Sequence, residues 1–386
     1  MPEPPWKSGA GPSSAAPRPG EAVRCAPSLL PAGEAFELYT EGDALYDAML
    51  AAIRSAARSV RLESYIFATD DVGWEFARAL GERARAGVAV RVQIDSVGSL
   101  FWASRSLERY LRDQGVEFRW FHRWRWRRPL RYNRRNHRKL LVVDGERAFL
   151  GGFNIHRENS RRRYGEKRWR DTHVGLRGSL AEQAAGLFDA FWRGERRWQW
   201  RAVGGAAAAL VSNNSYACEH RLHCLYAETF EAARERIYLT TPYLVPDTRS
   251  QRALEAAAAR GVDVRLLVPG IVDVGIVHWA AHAAFAPLLA AGVRIYRYLP
   301  RILHAKTAVV DGAWSTIGTA NMDYRSFFTN YEVNLVARDA PLAAALERRF
   351  RADLAEAAPV VPREWLARGW PKRLSEATGW LVRRWL

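Results

Sequence analysis

The sequence predicts an α/β protein made of two similar halves, and three observations carry that prediction. "HRKLLVVDGERAFLGGFN", beginning at His137, is repeated as "HAKTAVVDGAWSTIGTAN" from His304, with His, Lys, Asp, Gly and Asn at one spacing and no gap. Further segments echo one another in the same order: "SVRLESYIF" and "RIYLTTPYL", "GVAVRVQID" and "GVDVRLLVP", "GVEFRWF" and "GVRIYRY". Between them lie Ala-rich stretches, "WEFARALGERARA" and "RALEAAAARG", that stop at Gly87 and Gly261, the glycine stop expected of a helix C-terminus. Strands alternating with helices argue for a layered α/β sheet.

In chain order, residues 1–34 are rich in Pro, Gly, Ser and Ala and bury too little apolar surface to order themselves, so a disordered tail is expected. The tail lacks the apolar core of a secretory signal, and export is not indicated. Residues 35–205 form the first expected domain: strand, helix, strand, helix, strand, then the motif hairpin. In that hairpin Leu140 to Val143 read as a strand, Asp144-Gly145 as the turn and "RAFLGG" as the return. Composition simplifies at "AVGGAAAAL", and residues 206–358 repeat the order as a second domain, with Asp311-Gly312 at its turn. "IVDVGIVHWAAHAAFAPLLAAG" is the nearest approach to a membrane span, but Asp273, His278 and His282 interrupt it, and the repeat calls for a helix before "GVRIYRY". Residues 359–386 form a C-terminal amphipathic segment. Leu374, Ala377, Leu381 and Trp385 share a helical face with Arg373, Arg383 and Arg384 elsewhere, which suits an interfacial helix or one packed on the domain. A chain of 386 residues with 48% hydrophobic content is ample for two cores.

The repeated residues offer chemistry. Residues two apart on a strand point the same way, so His137 and Lys139 share a face, as do His304 and Lys306. With Asn154 and Asn321 after the glycines, each copy supplies a titratable nitrogen, a positive charge and an amide donor. That set suits an anionic phosphoryl group. Turn statistics give Asp144 and Asp311 a role in turn and ion-pair chemistry.

Charge points to an anionic partner. Lys plus Arg number 58 against 41 Asp plus Glu, a formal net charge of +17. The charge is concentrated in "RWFHRWRWRRPLRYNRRNHRK", where Arg123, Arg125, Arg127 and Arg128 alternate with Trp120, Trp124 and Trp126. Such text suits anionic lipid, with guanidinium groups at phosphates and indoles at headgroup level; it also suits stacking on single-stranded nucleic acid, or a solvated basic loop. The C-terminal segment favours the membrane. Cys25, Cys218 and Cys224 have neither the number nor the spacing of a disulfide framework or a metal site, and fit a reducing compartment.

The doubled H-x-K-x-x-x-x-D pattern with trailing Gly and Asn resembles the phospholipase D superfamily. With "LYTEGDALYDAMLAAIRSAARSVRLESYIFATDDVGWEFARAL" and "GVAVRVQIDSVGS", the chain is similar, over about residues 36–358, to the short B-type cardiolipin synthase branch. One departure is Gly152, where the family more often carries Ser; Thr319 is a milder change at the equivalent place. The resemblance implies two α/β sandwich domains related by a pseudo-twofold, with one active site at their interface. It carries His137, Lys139, Asp144, His304, Lys306 and Asp311 as the catalytic set and Asn154 and Asn321 as phosphate-binding. It implies a carboxylate about thirty residues beyond each histidine, matched by Asp171 and Glu332, to fix each ring's tautomer. His137 is then the nucleophile, forming a phosphatidyl-histidine, and His304 protonates the departing alcohol; the reverse assignment is the alternative. No metal and no cofactor are expected. The implied activity transfers a phosphatidyl group from phosphatidylglycerol to a second lipid, possible acceptors including phosphatidylethanolamine, at the cytoplasmic side of the cell membrane as a peripheral protein. A lipid-hydrolysing phospholipase D and a nuclease on the same fold are the alternatives, with nucleic acid the less favoured partner.

Overall fold

A computed structural model describes residues 36–122, 133–198, 207–213, 220–271 and 275–368. The expected tail at 1–34, the arginines at 123, 125, 127 and 128, and the terminal helix from Pro371 lie outside the described residues.

Each half begins as the repeat predicts. In the first, strands Ser59–Ser64, Ala89–Asp95 and Glu117–Phe121 run parallel. They are joined through helices Asp71–Arg85 and Arg105–Asp113. The carboxylate of Asp70 accepts from the Gly73 N–H at 2.8 Å and so caps the first of these helices. Gly87 and Gly261 adopt φ of 86° and 90°, the left-handed conformation that ends a helix without strain on a Cβ. The motif strand Leu140–Val143 then pairs antiparallel with Ser59–Ser64 and turns into Arg147–Gly151 and His173–Arg177. The second half repeats this with parallel strands Arg236–Thr240, Asp263–Pro269 and Arg294–Tyr298, followed by Thr307–Val310, Trp314–Gly318 and Val333–Ala337. Among the described residues the two large sheets have seven and eight strands, and Leu244–Val245 pairs with Met322–Asp323 as a small third one.

Each half has its own apolar core between sheet and outer helices. A third cluster joins them: Leu140, Val142, Val174 and Leu176 of the first sheet pack with Val309, Ile317, Val333 and Leu335 of the second, helped by Leu187 and Phe188 of helix Ser179–Arg193. The halves therefore share a continuous interior. Alternation makes this possible, because Leu140 and Val142 face the shared core while Leu141 and Val143 face the first half's own helices.

One boundary is revised, and one helix falls where the repeat calls for it. The boundary at 358/359 cuts through an edge strand: Ala357–Pro359 pairs with Arg294–Tyr298, and Trp365 of helix Pro362–Leu366 packs on Phe285, so the chain through Arg368 belongs to the second half. Apolar Val360 and Trp365 supply the burial that the amphipathic reading assigned only to residues farther on. The apolar stretch before "GVRIYRY" forms helix Gly275–Ala290, and no described helix is long and apolar enough to cross a membrane.

Candidate functional site

Both histidines lie at the carboxyl ends of the parallel strands, since each precedes a strand antiparallel to the central one. Backbone pairing across the halves holds them. The His137 N–H donates to the Tyr331 carbonyl at 3.0 Å, and the His304 N–H donates to the Arg170 carbonyl at 2.7 Å. Each histidine backbone is thus tied to the residue just before the other half's carboxylate.

The side chains cross in the same way. His137 Nδ1 lies 3.0 Å from each carboxylate oxygen of Glu332, and His304 Nδ1 lies 2.6 Å from Asp171 Oδ2. The carboxylate downstream of each histidine therefore serves the other half's histidine. His137 Nδ1 also meets the Thr319 carbonyl at 3.1 Å. A carbonyl and a carboxylate only accept, so Nδ1 must carry the proton, and Nε2 keeps its lone pair. His304 differs: Lys306 Nζ sits 2.9 Å from its Nδ1 and also bonds its carbonyl. Lys139 Nζ instead donates to the His137 carbonyl at 2.8 Å and stands 5.3 Å from the Tyr65 ring centroid, while Tyr65 meets His137 edge-on at 4.8 Å.

Burial governs the electrostatics. Burial lowers the His137 imidazole below its ordinary pKa; Glu332 opposes and Lys139 reinforces the drop. Burial and then the Lys306 charge lower His304, against Asp171. Lys139 is brought down to about 7 by burial and then by Lys306. Burial works to raise Asp171, but Lys306 and His304 hold it below the usual carboxylate range. The pocket thus places two cationic side chains in competition, which an entering anion would relieve.

The asparagines flank this centre. Asn154 Oδ1 accepts from the Ile66 N–H at 3.1 Å, leaving its NH2 as the donor end. Asn321 gives one N–H to Asp323 at 3.1 Å. Asp144 and Asp311 are not brought here. They occupy the turns at φ of 55° and 52°, and each carboxylate accepts from the backbone N–H groups of residues 57–59 or 234–236. Seven residues of extended chain put them roughly 20 Å from the histidines. The catalytic place implied for them by resemblance is corrected to turn chemistry.

Four residues of the site escaped sequence reading in these roles: Tyr65, Thr319 as a carboxylate anchor, Trp169 and Asp323. Thr319 Oγ1 donates to Glu332 Oε2 at 2.5 Å. At the equivalent Gly152 a Cβ would meet Asp171 Oδ1 at 2.0 Å, so the carboxylate occupies the space a side chain would need. Trp169 lies against His304 with centroids 5.4 Å apart. Asp323 is raised to about 6, chiefly by burial. The Gly152/Thr319 difference stands in the repeat itself, and carrying the comparison two residues past the asparagines would have exposed the His156/Asp323 difference as well. Among the described residues no group of three or more His, Cys, Asp or Glu side chains is placed to hold a metal ion. A cavity of about 490 Å³ is lined by Asp311 and Trp314 but by none of the paired histidines, lysines or asparagines.

Comparison with known proteins agrees with this architecture. The family profile described as "Cardiolipin synthase, PLD-like domain" matches residues 49–192 and again 226–354. The chain is 32% identical over 371 residues to a cardiolipin synthase of Clostridium perfringens, covering 90% of this chain and 76% of that protein. It is 36% identical over 357 residues to cardiolipin synthase 2 of Bacillus cereus, covering 88% and 68%. The crystal structure of a phosphatidylserine synthase from Haemophilus influenzae superposes with a TM-score of 0.70 at 14% identity, over 93% of this chain and 97% of that one, and shares the fold. Doubled phospholipase D-like domains, relatives matched over most of this chain and a site built once from both halves place the chain in the cardiolipin synthase family of the phospholipase D superfamily.

Proposed function

We propose that the protein is a phosphatidyltransferase that moves a phosphatidyl group from phosphatidylglycerol to the hydroxyl of a second phospholipid, as the names of its relatives suggest. His137 Nε2 attacks phosphorus, and the bond to the glycerol oxygen breaks as that oxygen takes a proton from His304. The acceptor hydroxyl then gives its proton to His304 and attacks phosphorus, and the His137–phosphorus bond breaks. Lys139, Lys306, Asn154 and Asn321 balance the phosphoryl oxygens. Glu332 holds the His137 tautomer through both steps, and no metal takes part.

The observation that carries this reading is the crossed pairing of His137 with Glu332 and His304 with Asp171, which supports a single two-histidine phosphate pocket. Asymmetry supports the roles: Nδ1 of His137 faces acceptors alone, whereas His304 has the Lys306 ammonium beside it. The protein would act as a peripheral protein on the cytoplasmic side of an anionic membrane, with the arginines at 123, 125, 127 and 128 and the C-terminal segment contributing attraction. Purified protein with labelled phosphatidylglycerol, with and without phosphatidylethanolamine, should yield a diphosphatidyl product and glycerol by mass. Phosphatidic acid alone would make it a hydrolase; cleavage of single-stranded nucleic acid without lipid turnover would make it a nuclease. Activity should persist in chelator.

A further inference from the structure

The parallel strands of both halves aim their carboxyl ends at the histidine pocket, and the loops that leave those ends form its rim. The large apolar side chains exposed there should be rare on an ordinary loop rim, yet five are present. Leu100 and Phe101, after strand Ala89–Asp95, are 58% and 94% exposed. In the second half Ile271 follows Asp263–Pro269 at 47%, Leu299 follows Arg294–Tyr298 at 49%, and Trp279 near the start of helix Gly275–Ala290 is 45% exposed.

The first of these loops is held rigidly to the site. Asp95 Oδ1 accepts from the Val97 and Gly98 N–H groups at 2.9 and 3.0 Å. Ser99 Oγ donates to the Tyr65 carbonyl at 2.9 Å, and the Tyr65 ring is the one packed on His137. The Thr69 N–H donates to the Trp102 carbonyl at 2.8 Å. A loop closed by so many bonds presents Leu100 and Phe101 outward as a fixed projection rather than folding them back.

We propose that this rim is a membrane-docking surface, with Leu100 and Phe101 inserting into an anionic phospholipid bilayer as the pocket meets the headgroups. The inference rests on the lipid reading above and adds the surface that delivers it. Charge complementarity names the occupant: Arg105, Arg134 and Arg157 are exposed on the same rim, in a chain of net charge +17. The rim's acidic groups are engaged, Asp70 with the Gly73 and Arg157 N–H groups and Glu158 with His156 at 2.8 Å. Aliphatic Leu100, Ile271 and Leu299 offer nothing for bases to stack on, whereas acyl chains accept them. Basic groups at phosphates around apolar tips are the makeup of an interfacial surface.

The test pairs Leu100→Asp/Phe101→Asp with Phe101→Trp. Binding is measured by sedimentation with phosphatidylglycerol–phosphatidylcholine vesicles in high salt, where exposed charges are screened and insertion dominates. Turnover is measured on the same vesicles and on short-chain phosphatidylglycerol below its micelle concentration. The double variant should lose vesicle binding and vesicle turnover by about tenfold or more while its turnover of monomeric lipid stays at the wild-type level; Phe101→Trp should keep both. Unchanged vesicle binding in the double variant overturns the proposal. Equal loss on monomeric lipid overturns it too, by making the loop part of the pocket. Vesicle binding that depends on the loop, in a wild-type protein that turns over no lipid, sinks the transferase reading and leaves the docking surface standing.

Discussion

At His137 the local contacts decide which proton sits where, and this makes residue-level predictions sharp. His137→Ala and His304→Ala should each reduce turnover by roughly 10⁴-fold or more, because neither histidine has a substitute in the pocket. A substrate with a good leaving group should still load a covalent phosphoryl adduct onto His137 in His304→Ala, whereas an adduct on the residue-304 peptide of the wild-type protein would reverse the roles. Thr319 Oγ1 holds Glu332, so Thr319→Ala should slow phosphohistidine formation by roughly ten- to hundredfold, the size of one lost hydrogen bond to a charged group. Lys139 sets the pH profile. With its pKa near 7 in the empty pocket, it loses charge as pH rises through neutrality, so kcat/KM should fall on the basic side while kcat, measured with the anion bound, holds to higher pH. Lys139→Arg should abolish that basic limb. On the acid side the lowered His137 pKa keeps Nε2 available to below 6.5.

The motif hairpin shows how one element separates chemistry from stability. Its start carries His and Lys into the pocket, and its turn carries Asp144, whose carboxylate accepts from the N–H groups of Ala57, Arg58 and Ser59. Asp144→Ala should therefore destabilise the fold by about 1–3 kcal/mol in denaturant titration, leaving kcat of the folded protein near wild type. The three N–H groups hold the Asp144 carboxyl below its ordinary pKa against the effect of burial. A carboxylate lowered in the folded state contributes stability that is present above the unfolded pKa of about 4 and is lost as pH falls. Asp144→Ala should flatten that acid loss. A large fall in kcat instead would return Asp144 to the catalytic set.

At the scale of the whole molecule, the halves are joined by a shared apolar core and by histidine–carboxylate pairs that cross it. A substitution in one half should therefore act on the histidine of the other. Glu332→Gln should impair adduct formation on His137 although it lies in the second half, and Asp171→Asn should impair the proton transfers of His304, with the deficit shrinking as the leaving group improves. Steady-state and single-turnover rates on a leaving-group series separate the two. If each carboxylate variant instead affected the histidine of its own repeat, the crossed arrangement would fail.

The repeat alone determined that there are two α/β halves, where their parallel strands and helix stops fall, and which histidines, lysines and asparagines belong together. Those features are local: period, glycine stops and spacing are written along the chain. Tertiary structure decided what spacing cannot show. Asp171 and Glu332 stand about thirty residues beyond their own motif histidines, yet each bonds the opposite one, because Arg170 and Tyr331 pair their backbones across the interface. Asp144 and Asp311 share the motif's text and not its site, since an extended strand carries its two ends apart. Nothing in the sequence marks Leu100 and Phe101; the packing leaves them outside. Burial and contact depend on distances through space, and only the folded sheets set those.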